Sequence, residues 1–108
     1  MKKYILLIFA FITLSYAGET PNGVDCLILE DENSIICKYT HERADFDKEV
    51  EFQWIEPDGR VTRKRAMIIP AYHGSIYDYR YIEGRNKGEW TFKVIDNGIE
   101  YKTTFVLE

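Results

Sequence analysis

The chain has 108 residues, with 14 Lys and Arg against 18 Asp and Glu, and a formal net charge of −4. This length fits one small domain. The acidic balance argues against nonspecific binding to nucleic acid, which needs a basic surface.

The N-terminal residues have the three-part layout of a secretory signal peptide. Two lysines precede an uncharged apolar run over residues 4–14, and small residues follow at Ser15 and Ala17. This pattern predicts cleavage after Ala17 and loss of residues 1–17. The apolar run is about half of the ~20 residues of a membrane-spanning helix, and an uncleaved anchor is the alternative. We therefore expect a periplasmic or secreted protein that meets the membrane only through this leader.

The chain contains two cysteines, Cys26 and Cys37. The residues between them indicate a strand, an acidic turn and a second strand, and a turn centred on Asp31 and Glu32 places the cysteines opposite each other. In an oxidising compartment a structural disulfide is the expected state. A redox-active pair is the alternative, although the spacing is not Cys-x-x-Cys.

A second hairpin is predicted around a Glu-Pro-Asp-Gly turn at residues 56–59. The strand before it alternates apolar and polar residues, and the returning strand covers residues 60–69. A tight turn pairs Glu51 with Lys64, whereas a bulged loop pairs Glu51 with Arg65. We favour the bulged loop because it turns the arginines of the returning strand away from Trp54.

The returning strand carries the one basic run of the chain. Because a strand divides this run between its two faces, it forms at most half a basic patch. It is a candidate surface for an acidic partner or an anionic polymer; the alternative is a solvated edge strand with cross-strand ion pairs. The candidate partner-binding residues of this run are Arg60, Arg63, Lys64 and Arg65.

Four tyrosines form the second candidate partner-binding group. Tyr77, Tyr79 and Tyr81 alternate along a predicted strand and share one face, and Tyr72 precedes them in a loop. Tyrosine is favoured at interfaces because it buries area at low entropic cost and keeps a hydroxyl group for a partner. An ordinary core face is the alternative. Burial of the intervening Asp78 and Arg80 is costly, which favours the tyrosines inside.

The most strongly patterned stretch is the C-terminal hairpin, residues 88–108. Apolar residues alternate with polar ones on both strands, and Asn97-Gly98 suits a type I′ turn because both residues tolerate positive φ. A two-residue turn fixes the register and places Asp96 opposite Ile99 and Trp90 opposite Phe105.

Together these segments predict an all-β fold, a single antiparallel β-sandwich of about seven strands over residues 24–108, after a polar lead-in at 18–23. Residues 50–108 resemble bacterial immunoglobulin-like or fibronectin-III-like modules. The resemblance implies a fold type and no specific function. It rests on Trp54-Ile55-x-Pro57-Asp58-Gly59, on Gly88-x-Trp90-x-Phe92-x-Val94, on Asn97-Gly98 and on a closing Phe105-Val106.

The sequence predicts no catalytic residue, no cofactor and no metal site. Ser75 lies near His73 and Asp78, but proximity in a loop is not triad geometry, and a Gly-x-Ser-x-Gly elbow is absent from the sequence. The charged connector 41–48 carries metal-binding residue types without a scaffold that would make them converge.

We therefore expect a non-catalytic exported binding or scaffold module that acts by protein–protein contact in a bacterial cell-envelope assembly. Its partner would be another envelope protein, or a second copy of the chain. The alternative is a carbohydrate-binding module that stacks a glycan on Tyr77, Tyr79, Tyr81 and Trp54.

Overall fold

A computed structural model describes residues 22–108. The predicted leader, its cleavage site and residues 18–21 of the lead-in lie outside this range. Residues 22–108 form one 3₁₀ turn, Glu30–Glu32, and seven strands: β1 (Gly23–Leu29), β2 (Ser34–Thr40), β3 (Lys48–Ile55), β4 (Val61–Ile69), β5 (Ser75–Tyr81), β6 (Gly88–Asp96) and β7 (Ile99–Leu107).

The strands form two antiparallel sheets, one of three strands in the order β1-β2-β5 and one of four strands in the order β4-β3-β6-β7. The predicted all-β architecture of about seven strands is confirmed. Strand β4 lies at an edge of its sheet, as expected for the basic strand.

The core lies between the inner faces of the two sheets. Trp54 is fully buried, and its ring meets those of Phe92 and Phe105 edge to face, with centroids 5.3 and 6.1 Å apart. Strand β2 contributes Ile35 and Tyr39 from the opposite sheet. Alternation along each strand therefore sends one apolar row inward, as the two-residue period requires.

The registers of two hairpins are confirmed. Asp96 lies opposite Ile99 and Trp90 opposite Phe105 in the β6–β7 hairpin, with positive φ at both residues of the Asn97-Gly98 turn. In the β1–β2 hairpin, Cys26 lies opposite Cys37 and the two form a disulfide. Turn chemistry and hydrophobic pattern agree in both hairpins.

Both registers considered for the β3–β4 hairpin are wrong. Glu51 lies opposite Ala66, and a shift in register follows Trp54. Arg65 therefore stands opposite Phe52 and Arg63 opposite Trp54, on the inner side of the sheet. The arginines can occupy this side because the carboxylate of Asp78, in the other sheet, accepts hydrogen bonds from both of them.

The predicted orientation of β5 is also wrong. Asp78 points inward and is 4% exposed, whereas Tyr77, Tyr79 and Tyr81 point outward. Asp78 accepts a hydrogen bond from the indole Nε1 of Trp54 at 3.1 Å. Charged and indole donors around the carboxylate offset the cost of removing it from water.

Arg80 also faces inward, and its guanidinium group lies over two indole rings. The distance from its Cζ atom to the ring centroid is 5.5 Å for Trp54 and 5.8 Å for Trp90. Cation–π attraction stabilises a guanidinium group in such a place. Inward Asp78 and Arg80 thus leave the tyrosines to the other face of β5.

Candidate functional site

The outer face of the three-stranded sheet presents the tyrosines of β5. Strand β2 lies in the middle, so each tyrosine stands opposite a residue of β2 and, one strand further, a residue of β1. We call this set of residues the tyrosine face. Its rows are Tyr77–Lys38–Asp25, Tyr79–Ile36–Leu27 and Tyr81–Ser34–Leu29.

Four large side chains on the tyrosine face are more than half exposed, and Ile36 between them is partly buried. The exposed fraction is 59% for Leu27, 60% for Tyr77, 51% for Tyr79 and 58% for Tyr81. Single exposed apolar residues are common on proteins, but contiguous ones mark interaction sites. The row Leu27–Ile36–Tyr79 runs across all three strands and makes the tyrosine face contiguous.

The outer face of the four-stranded sheet has a different character. One of its rows contains Lys64, Gln53, Lys93 and Lys102. Lys93 also forms an ion pair with a glutamate of the next row, Glu100, with 3.7 Å between nitrogen and oxygen. This face also exposes Ile68 and Val106, but each stands opposite a glutamate, Glu49 and Glu89. Its apolar residues are therefore interrupted by charged ones, and the two outer faces of the sandwich differ in this respect.

The rings of the tyrosine face do not all lie parallel. Tyr79 and Tyr81 have centroids 6.0 Å apart and planes 78° apart, an edge-to-face pair. Trp54, which the glycan alternative included, is wrong as a contact residue because it is fully buried in the core. A stacked sugar would therefore rest on the tyrosines alone.

Beside the tyrosine face, the edge strands β4 and β5 flank a cavity of about 310 Å³, which we call the arginine gap. Asp78 forms its floor and accepts from Arg65 at 3.0 Å and from Arg63 at 3.4 Å. Arg63 also donates to the main-chain oxygen of Tyr79 at 3.2 Å. The other charged residues that line the gap are Arg80, Glu83 and Arg85.

The predicted partner-binding residues do not form one site. Arg63, Arg65, Tyr79 and Tyr81 meet at the arginine gap. The remaining four lie elsewhere: Tyr77 on the tyrosine face, Lys64 on the outer face of the other sheet, Arg60 in the turn before β4 and Tyr72 in the loop before β5.

Two of these four residues, Arg60 and Tyr72, make contacts near the turn or loop in which they lie. Arg60 pairs with Asp58 at 2.8 Å and with Glu56 at 3.4 Å, which neutralises its charge within the turn. Tyr72 has a φ of 71° and its amide donates to the main-chain oxygen of Ala44. Its ring is exposed at the end of the sandwich away from Tyr81.

Sequence reasoning missed four residues of this region. Leu27 and Ile36 belong to the tyrosine face, and the apolar character of both faces of the first hairpin was the available signal. Arg80 and Arg85 belong to the arginine gap. They are five residues apart in the sequence, and only the turn after β5 brings them to one cavity.

A buried polar cluster lies at the other end of the sandwich. Tyr39 donates to Asp96 at 2.6 Å, and Lys48 pairs with the same carboxylate at 3.0 Å. Burial raises the pKa of Tyr39, and its hydrogen bond to Asp96 adds to that effect. His41 stacks on Tyr39 with ring centroids 5.7 Å apart. Tyr39, His41 and Asp96 are buried, so we assign this cluster to the stability of the fold.

Neither ring nitrogen of His41 has a hydrogen-bond partner within residues 22–108. Burial lowers the pKa of His41, and the nearby charge of Lys48 lowers it further. The folded protein therefore holds this imidazole in its neutral form.

No protein-family model and no curated protein matches the chain. Over the described range, 22–108, no set of three His, Cys, Asp or Glu residues is arranged to hold a metal ion. Residues 22–108 contain no helix long and apolar enough to cross a membrane. The Cys26–Cys37 disulfide is typical of proteins outside the cytoplasm.

Proposed function

We propose that this protein is a non-catalytic exported binding or scaffold module that acts by protein–protein contact in a bacterial cell-envelope assembly. The observation that carries the proposal is the contrast between the two outer faces of the sandwich. On the outer face of the four-stranded sheet, exposed apolar residues stand beside charged ones, whereas the tyrosine face has a contiguous apolar and aromatic centre with Lys38 and Asp25 at its rim.

The composition of the tyrosine face favours a protein as the occupant. Interface centres are rich in tyrosine and poor in charge, and their rims are polar. Leu27 and Ile36 add aliphatic surface, which packs against apolar side chains and offers no stacking plane to a sugar. The partner surface should therefore present apolar side chains to the row Leu27–Ile36–Tyr79.

Export and fold type belong to the same proposal. The predicted leader and the disulfide support a periplasmic or secreted location. The two-sheet architecture is compatible with an immunoglobulin-like or fibronectin-III-like module. In constant-type immunoglobulin domains the fourth strand joins the first, second and fifth. Here β4 pairs with β3 instead, so the resemblance is to the broader sandwich group.

Site-specific photo-crosslinking in cells tests the proposal. A photoreactive phenylalanine analogue at position 79 is compared with the same analogue at position 104, where Thr104 lies exposed on the outer face of the four-stranded sheet. We expect one discrete adduct from position 79 and none from position 104. The adduct should contain an envelope protein and should disappear in the variant Leu27→Glu.

Three results would contradict the proposal. The first is equal adducts from both positions, and the second is no adduct from position 79. The third is an adduct that survives Leu27→Glu. Self-adducts from position 79 would identify a second copy of the chain as the occupant in place of another envelope protein.

Glycan binding stays the alternative, with exposed Tyr77, Tyr79 and Tyr81 as its remaining residues. It predicts that purified protein binds a polysaccharide and that Tyr77→Ala abolishes the binding. A glycan array without signal would remove this alternative.

A further inference from the structure

The arginine gap holds more positive than negative charge. Four guanidinium groups and two carboxylates line it, so two positive charges are left unbalanced in a protein whose total charge is negative. Asp78 is already engaged by Arg63, Arg65 and the indole of Trp54. The charge of Asp78 is therefore not free to balance the remaining two arginines.

Arg80 and Arg85 are those two arginines. Among residues 22–108, neither forms an ion pair with a carboxylate. The nearest polar partner of Arg80 is the hydroxyl of Thr62, at 3.2 Å. The Nε atom of Arg85 is buried and has no hydrogen-bond partner in the described part of the chain.

The electrostatic environment agrees with this geometry. Burial lowers the pKa of Arg80, and the positive charges of Arg85 and Arg63 lower it further, against the opposite but smaller effects of the Asp78 and Glu56 carboxylates. Like charges held together in this way cost folding free energy unless an anion joins them. A buried guanidinium nitrogen without a partner is a second cost that the same anion would remove.

We propose that the arginine gap is a carboxylate-binding site in which Arg80 and Arg85 receive an acidic side chain of the protein partner. This inference rests on the proposed function, since the partner on the tyrosine face supplies the carboxylate. Guanidinium groups bind carboxylates through two parallel hydrogen bonds, which fixes orientation as well as adding energy. Tyr79 and Tyr81 belong to both regions, so one partner segment can reach both.

The site itself is tested with acetate, independently of any partner. Sodium acetate is titrated into the isotope-labelled mature chain at constant ionic strength, and the Nε–Hε resonances of the arginines are followed by NMR. We expect saturable shifts for Arg80 and Arg85, with a Kd on the order of 10 mM. Arg43 lies at the other end of the sandwich and should not shift beyond the small linear drift of a surface arginine.

The variant Arg85→Gln should weaken acetate binding at least tenfold, and Arg85→Lys should weaken it too because an ammonium group lacks the planar fork. The matched control is Arg43→Gln, which should bind acetate as the original chain does. Equal linear shifts at every arginine would overturn the site. Inorganic phosphate that saturates the site where acetate fails would overturn the carboxylate assignment.

The link to the partner is tested by combining the variants with photo-crosslinking at position 79. Arg85→Gln should reduce the adduct several-fold, whereas Arg43→Gln should leave it unchanged. An undiminished adduct in Arg85→Gln would refute the partner's carboxylate as the occupant. Failure of the proposed function is recognised separately, as acetate binding at the gap with no adduct from the tyrosine face.

Discussion

Trp54 and Asp78 join the two sheets through the core, with 3.1 Å between the indole Nε1 and the carboxylate Oδ2. The same carboxylate receives Arg63 and Arg65. Loss of Asp78 would therefore leave the indole of Trp54 and the guanidinium group of Arg65 without this acceptor, and Arg63 with the main-chain oxygen of Tyr79 alone.

We expect Asp78→Ala to lower the free energy of unfolding by about 3 kcal/mol, the scale found when one partner of a buried ion pair is removed. Urea denaturation measures the change. The control is Asp31→Ala in the exposed turn after β1, which should stay within about 0.5 kcal/mol. Similar effects for the two variants would show that Asp78 is not a stabilising centre.

Gly88 is required where β6 begins. Its φ is 127°, and a Cβ atom there would lie 2.9 Å from Cγ of Pro57. We expect Gly88→Ala to cost about 2 kcal/mol, from backbone strain and the clash with a rigid ring. The matched control is Gly23→Ala, because Gly23 has no atom within 4 Å of such a Cβ and no positive φ. Equal thermal midpoints for these variants would contradict the structure.

The disulfide should stabilise the fold by reducing the conformational entropy of the unfolded chain. Cys26 and Cys37 are 11 residues apart, and closing a loop of this size contributes about 3 kcal/mol in the chain-entropy model. We expect the double variant Cys26→Ala/Cys37→Ala to lose this contribution to the free energy of unfolding. Reductant should destabilise the original chain by a similar amount and leave the double variant unaffected. A double variant as stable as the oxidised chain would contradict the expectation.

His41 should make stability depend on pH. Its pKa is lowered in the folded state, so the unfolded chain binds the proton more readily. The contribution of the neutral ring is complete above the unfolded pKa of about 6.5 and is lost as pH falls below that value. Stability should therefore drop between pH 7.5 and 5.5, as measured by denaturant midpoints.

The variant His41→Phe should remove most of this drop, because a phenyl ring keeps the stack on Tyr39 without a titrating group. His73→Gln changes the exposed histidine and should retain the drop. If the His73 variant lost the pH dependence instead, the assignment to His41 would be wrong.

The tyrosine face should be dispensable for folding. Tyr79→Ala removes a ring that is half exposed and should change the free energy of unfolding by about 0.5 kcal/mol or less. Phe92→Ala removes a fully buried ring of similar size and should cost about 4 kcal/mol. Comparable losses in the two variants would mean that the tyrosines serve the fold.

Local signals were sufficient for much of the fold. The Asn97-Gly98 turn sets its own register, because a two-residue turn leaves one pairing that buries Trp90 with Phe105. The cysteine hairpin follows the same logic. In both cases the information lies within about twenty residues of chain.

The errors arose where the deciding partner lies in the other sheet. The arginines of β4 and the carboxylate of Asp78 are each costly to bury alone, and sequence reasoning assigned each of them to the surface. When these groups pair across the sheets, their interaction offsets the cost of burying them. Strands β4 and β5 therefore turn inward the faces that the sequence analysis had placed outside. The arginine gap could not be predicted for the same reason, because Arg80 and Arg85 meet the arginines of β4 only after the sheets pack.

The order of the strands also separates early folding events from late ones. Three hairpins, β1–β2, β3–β4 and β6–β7, join neighbours in the chain, whereas the pairs β2–β5 and β3–β6 enclose longer stretches. Closing a longer loop costs more entropy, so we expect the hairpins to form first and the β2–β5 and β3–β6 pairs to form later. Until β5 docks, Trp54 and the arginines of β4 lack the Asp78 carboxylate, so a partly folded chain at that stage exposes core groups to proteases and chaperones.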